Sequence, residues 1–140
     1  MLTSLLLKTR NGCDVTICSN GKDGYEKLTH SKYDMVLLDF LMPVMLGLTC
    51  LLNYFEWKNK DTLEPDSTLI IGLSACATET EQSEAFTLGM HFYCSKPTNT
   101  EFLTIALAAC RNNVLIDDIT AEITLKAQHI KQGIKYPPKL

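Results

Sequence analysis

The stretch that most constrains this chain is Tyr33-Asp34-Met35-Val36-Leu37-Leu38-Asp39-Phe40-Leu41-Met42-Pro43. An unbroken apolar run, Met35 to Leu38, ends on a carboxylate and soon meets a proline. A run that is short and apolar at every position reads as a strand buried on both faces, as in a parallel sheet. In open parallel sheets ligands bind just beyond the carboxyl ends of the strands. Asp39 stands at such an end.

Two more runs have the same form. Thr68-Leu69-Ile70-Ile71-Gly72-Leu73 leads to Ser74-Ala75, and His91-Phe92-Tyr93-Cys94 leads to Ser95-Lys96-Pro97. Asp14-Val15-Thr16-Ile17-Cys18 is a fourth, β-branched strand. Helical segments lie between them. One runs from an Asn20 or Ser19 cap to about Thr29. One covers 48–58 and gives way to a polar loop over 59–66. Another opens at Thr78, with Glu79 and Glu81 in its first turn, and closes at Gly89. The next runs from Asn99 to about Arg111. Leu2, Leu5 and Leu6, at i, i+3, i+4, predict a helix at the amino end, stopped at Asn11-Gly12. The alternation predicts an α/β fold, a doubly wound parallel sheet with helices on both faces.

The bulk numbers leave room for that fold and close off other classes. A chain of 140 residues fits one domain with a real core. A net charge of −3 and a pI of about 5.5 give no basic field, so no nucleic-acid partner is expected. No apolar stretch approaches the roughly 20 residues of a membrane span. The first residues lack the basic leader and cleavage site of a secretory signal. The six cysteines form no CxxC and lie mostly inside apolar patterns. That predicts buried thiols in a reducing cytoplasm rather than a disulfide framework.

Three groups, Asp39, Ser74 and Lys96, therefore fall on successive strand ends and share one edge of a parallel sheet. Taken singly, each has an ordinary structural reading: a turn-forming aspartate, a locally bonded serine, a Lys-Pro turn. Together they suit phosphoryl chemistry. A carboxylate can attack phosphorus to form an acyl phosphate. The incoming oxygens then need a cation and aimed donors. Lys96 offers fixed positive charge, Ser74 offers a hydroxyl, and the small Ala75 leaves space. A divalent metal held by oxygen ligands would complete such a set.

These same motifs carry a resemblance. Residues 33–45, Ile70-Ile71-Gly72-Leu73-Ser74-Ala75 and Lys96-Pro97 resemble the receiver domain of two-component response regulators, over residues 1 to about 112. The resemblance implies a CheY-like five-stranded parallel sheet of order 2-1-3-4-5. It implies Asp39 as phosphoacceptor, Ser74 as the hydroxyl that contacts the phosphoryl group, and Lys96 as its charge partner, before a cis peptide to Pro97. It implies Tyr93 as the aromatic switch and the Leu41 carbonyl as a ligand of Mg²⁺. The phosphoryl donor would be a phosphohistidine on a histidine kinase or a histidine phosphotransfer protein.

The sequence departs from the family in two places. Leu46 stands where the family usually has Asp. More seriously, a receiver opens with an apolar strand ending in two acids that hold the magnesium, and this chain shows no such strand at its amino end. Asn113-Val114-Leu115-Ile116-Asp117-Asp118 has that form. Either it fills the central slot, placing Asp117 and Asp118 as metal ligands beside Asp39, or it is a truncated second unit or an unrelated tail. Filling the slot would be a permutation within one chain or a domain-swapped dimer between two. The expected organisation is thus a receiver-like unit over 1–112 and a strand-helix extension over 113–140. The helix of that extension would carry Ile123, Ala127 and Ile130 and end at Gly133.

Function follows from that corner. With the acids in place, the chain accepts a phosphoryl group in phosphorelay signalling. Without them it is a receiver-like interaction module that is not phosphorylated. An enzyme is not expected: an aspartate-nucleophile phosphatase needs an acid two residues after the nucleophile, and Leu41 is there. His129 lies in a segment faintly like that of phosphotransfer proteins, but the chain left is too short for their four-helix bundle.

Overall fold

The computed structural model describes residues 4–8, 14–40, 47–61, 68–75, 77–111 and 114–136. Its strands are β1 Ser4–Lys8, β2 Asp14–Cys18, β3 Met35–Asp39, β4 Leu69–Ser74, β5 Phe92–Ser95 and β6 Ile134–Lys135. The helices are α1 Gly21–His30, α2 Gly47–Asp61, α3 Glu79–Leu88, α4 Thr100–Ala109 and α5 Ile116–Lys126. The strands form one sheet in the order β2-β1-β3-β4-β5-β6.

β3 and β4 are buried at every position, as wholly apolar runs demand. Alternate residues of each strand serve opposite faces. Met35, Leu37, Leu69, Ile71 and Phe92 join Phe102 and Ala106 of α4 and Ile119 and Ile123 of α5 in one core. Val36, Leu38, Ile70 and Tyr93 join Leu28 of α1, Leu51 and Tyr54 of α2 and Ala85 of α3 in the other. The helix starts follow their caps. Asn20 accepts from the Asp23 N–H at 2.9 Å, and Asn99 accepts from that of Phe102 at 2.9 Å. Thr78 and Glu81 form a reciprocal capping box.

Two expectations are corrected. The amino end is a strand, not a helix: β1 occupies the slot between β2 and β3 and runs antiparallel to both. The sheet is therefore mixed, with β3, β4 and β5 parallel and β1 and β6 antiparallel to their neighbours. Leucines at i, i+3, i+4 also contain the run Leu5-Leu6-Leu7, short enough for a buried strand. Asn-Gly ahead of a β-branched run is a stronger signal for a hairpin than for a helix stop. Asn11 and Gly12 themselves lie outside the described residues.

Residues 114–118 are not a strand. Val114 and Leu115 are non-repetitive and Ile116 begins α5, so this segment fills no slot and offers no strand for a domain swap. The acids belong to a helix start, where Asp117 and Asp118 lie in the first turn and face its dipole favourably. Ile116, Ile119, Ile123 and Ala127 then recur at helical spacing, and the last three are buried.

The path of the chain places those acids at the wrong edge for the site. α4 starts just past the carboxyl end of β5 and runs back to Cys110. Burial pushes the Cys110 thiol up to about 12, with the charge of Asp34, just before β3, adding to the effect. The end of α4 thus lies at the amino edge of the sheet, and α5 starts from there. The return is complete at Gly133, whose carbonyl accepts from the Ser95 N–H at 2.8 Å, at the carboxyl end of β5. β6 then pairs antiparallel with β5.

Candidate functional site

Three strand ends assemble the site. Asp39 closes β3 opposite Leu73, and Ser74 closes β4 opposite Ser95. Backbone bonds lock the ends together: the Phe40 N–H donates to the Leu73 carbonyl at 3.0 Å, and the Lys96 N–H to the Ser74 carbonyl at 3.0 Å. Asp39 and Ser74 are buried, at 3% and 2% exposure. A buried carboxylate requires a partner. Lys96 supplies one: its Nζ donates to Asp39 Oδ2 at 2.5 Å, with the lysine side chain 31% exposed. The ammonium therefore reaches from solvent to the carboxylate, which is the arrangement needed to receive an anionic group between them. The Lys96-Pro97 peptide is cis.

Tyr93 lies beneath this edge. Its ring is buried, and its hydroxyl donates to the Ser74 carbonyl at 3.3 Å. The ring packs at 5.8 Å between centroids against Phe40, the residue after Asp39. Phe40 in turn depends on Gly72. A Cβ there would stand 2.6 Å from the Phe40 ring and 2.5 Å from Met90 Sδ. Sequence reasoning missed Phe40 as a member of the site. The signal was present in its position next to Asp39 on a strand whose neighbour carries a glycine.

The tail acids of the expected metal set do not reach the site. Asp117 and Asp118 are exposed, at the start of a helix that leaves from the opposite edge. Leu41, whose carbonyl was expected as a ligand, and Leu46 lie outside the described residues. Among the described residues, no group of three or more His, Cys, Asp or Glu could hold a metal ion. The described residues therefore do not by themselves make up a ligand set for the magnesium that the resemblance implies.

A doubly wound sheet with an aspartate, a serine and a lysine on adjacent carboxyl ends is the receiver architecture. The family model for the response regulator receiver domain matches residues 1–108, and the chain belongs to that family. Hybrid signal transduction histidine kinase K of Dictyostelium discoideum is 33% identical over 98 residues, covering 69% of this chain and 8% of that protein. The transcriptional activator protein PfeR of Pseudomonas aeruginosa is 29% identical over 108 residues, covering 77% of this chain and 33% of that protein. The chain thus spans a third or less of these relatives' length. Among solved structures, the co-crystal of the Saccharomyces cerevisiae histidine phosphotransfer protein Ypd1 with the receiver domain of Ssk1 matches with a TM-score of 0.56 and 17% identity. It covers 72% of this chain and 77% of that one. A Burkholderia pseudomallei response regulator with a phosphorylated aspartic acid matches with a TM-score of 0.52 and 20% identity, covering 78% of this chain and 57% of that one. The chain is a receiver domain of the two-component and phosphorelay class. Among the described residues, no helix is long and apolar enough to cross a membrane.

Proposed function

We propose that the domain accepts a phosphoryl group on Asp39 from a phosphohistidine, on a histidine kinase or a histidine phosphotransfer protein. The observation that carries this reading is the Lys96–Asp39 pair beside Ser74, on the edge where a phosphoryl group would enter. An Asp39 carboxylate oxygen attacks phosphorus, the O–P bond forms, and the N–P bond to imidazole breaks. The electron pair of the N–P bond stays on that nitrogen, and the imidazole, already protonated at its other nitrogen, leaves as the neutral ring. The Lys96 ammonium passes from the carboxylate to a phosphoryl oxygen, and the Ser74 hydroxyl donates to another. That would loosen the hold of the strand ends on Tyr93, whose hydroxyl rests on the Ser74 carbonyl. The domain works by transfer and contact rather than by turnover of a small substrate, in a reducing, cytoplasmic setting suited to its buried thiols outside any disulfide. The receiver unit is carried by residues 1–112, and the extension over 113–140 contributes α5 and the edge strand β6.

A second reading has its own observation. No Asp or Glu occurs in residues 1–13, which include β1, or in residues 40–46, which follow β3. On that ground the domain would be an interaction module that docks without being phosphorylated. The discriminating experiment incubates the intact chain with acetyl phosphate, with and without Mg²⁺, and weighs the product. An adduct that disappears in Asp39→Asn and persists in Asp117→Asn supports the acceptor. No adduct under either condition sinks it in favour of the interaction module.

A further inference from the structure

We infer that the α5–β6 extension is part of the working site: Gly133 is a positioning residue that acts through Ser95 to fix Lys96 against Asp39, and the seating of β6 on β5 is coupled to that pair. This rests on the reading of Asp39 and Lys96 as the centre of the site.

Lys96 is the first residue beyond β5, so its aim depends on how that strand end is held. On the inner side β4 holds it, through the Lys96 N–H on the Ser74 carbonyl at 3.0 Å. On the outer side Gly133 holds the residue before it. The Ser95 N–H donates to the Gly133 carbonyl at 2.8 Å, and the Ser95 hydroxyl donates to the same oxygen at 3.4 Å. Gly133 presents that carbonyl from a φ of 80°, which glycine adopts freely and other residues rarely. A Cβ there would stand 2.9 Å from Ser95 Oγ. The next residues continue the brace, with Ile134 opposite Cys94 and Lys135 opposite Tyr93.

The brace is itself anchored. The Tyr136 hydroxyl donates to the carbonyls of Ala127 and Ile130, at 2.7 Å each. Its ring packs edge-on against Phe92 and Phe102, at 5.8 and 6.4 Å between centroids. Contacts thus run without a break from Asp39 through Lys96, Ser95 and Gly133 to Tyr136. The family match ends at residue 108, before α5 and β6, so this brace is an addition to the family domain. Coupling between linked equilibria is reciprocal. What loosens β6 frees Lys96, and what draws Lys96 from Asp39 loosens β6. A phosphoryl group on Asp39 would do the second, so the extension reports the state of the site.

Two measurements on the intact chain test the coupling from its two ends. The first is the rate at which acetic anhydride modifies Lys96, mapped by mass spectrometry. Tyr136→Phe and Gly133→Ala, each checked for fold by circular dichroism, are expected to speed it about fivefold or more. Leu28→Ala, in the other core, controls for general loss of stability. Equal acceleration in Leu28→Ala, or none in the β6 variants, would overturn the positioning role. Should Gly133→Ala not fold, Tyr136→Phe alone carries this comparison. The second is amide exchange of Ser95, followed by NMR. Asp39→Asn is expected to speed it about fivefold or more relative to the Leu28 amide. An equal change at both amides would overturn the coupling of β6 to the pair. Neither readout uses a phosphoryl donor, so failure here is distinguishable from failure of Asp39 as an acceptor.

Discussion

Lys96 and Asp39 meet across an intervening strand. They leave β5 and β3, which are separated in the sheet by β4, and their side chains close over the Ser74 end to a distance of 2.5 Å. The pair ties together three strand ends that no single backbone hydrogen bond spans, and it neutralises a carboxylate that is almost fully buried.

Removing the cation should therefore be felt in stability as well as chemistry. Lys96→Met is expected to lower the unfolding free energy by about 1–2 kcal/mol, less than for a fully buried pair because the lysine is partly in water. Adding Asp39→Asn should recover much of the loss. Urea unfolding of the two single variants and the double variant measures the coupling, and simple additivity would show that the pair contributes nothing.

Gly72 lies in β4 where two side chains converge. Gly72→Ala would press a methyl group against the Phe40 ring and Met90, and is expected to cost about 1–3 kcal/mol by overpacking. Because Phe40 touches Tyr93, the near-ultraviolet dichroism of the tyrosines should change too. A variant with unchanged stability and spectrum would show that Phe40 is free to move.

The thiols give a pH dependence. Burial pushes Cys50, Cys94 and Cys110 up to about 12 from the ordinary 9.0. The folded chain holds protons that the unfolded chain releases. Their contribution to stability is thus fully present below pH 9.0 and is lost as pH rises toward about 12. The expected slope is on the order of 1 kcal/mol per pH unit for each thiol. Urea midpoints from pH 7 to 11 check this, and Cys94→Ala should flatten the curve. At neutral pH these three thiols should resist an aromatic disulfide reagent until the chain is unfolded.

The α5 segment is predicted to be part of the domain's core. Ile123 is fully buried while Leu125, two residues on, is 68% exposed. Ile123→Ala is expected to cost about 2–4 kcal/mol, and Leu125→Ala to stay within about 0.5 kcal/mol. Equal effects would mean that α5 does not pack on the sheet.

Much of this was legible in the residues. β3 and β4 are written in runs apolar at every position. Asn20, Thr78 and Asn99 mark helix starts that the structure keeps, and Gly89 marks an end at a φ of 130°. The positions of Asp39, Ser74 and Lys96 followed from strand ends alone. What failed were segments whose pattern serves two periods. Leu5-Leu6-Leu7 fits a helix stripe or a buried strand, and only pairing with β3 decides between them. Val114 to Asp118 reads equally as a strand with two terminal acids or as the entry to a helix that wants acids in its first turn. β6 has two residues and no period to detect; it exists because the Gly133 turn delivers it to β5.

β6 also changes what the molecule exposes to its own kind. By pairing with β5 it moves that strand from the margin into the interior and leaves a border only two residues long. Edges so short recruit other chains poorly. The opposite border, β2, has five residues, with Val15 and Ile17 at 49% and 65% exposure. The sheet is thus blunted on one side and adhesive on the other. At high concentration, self-association by strand addition should begin at β2, where one lysine in place of Ile17 would discourage it.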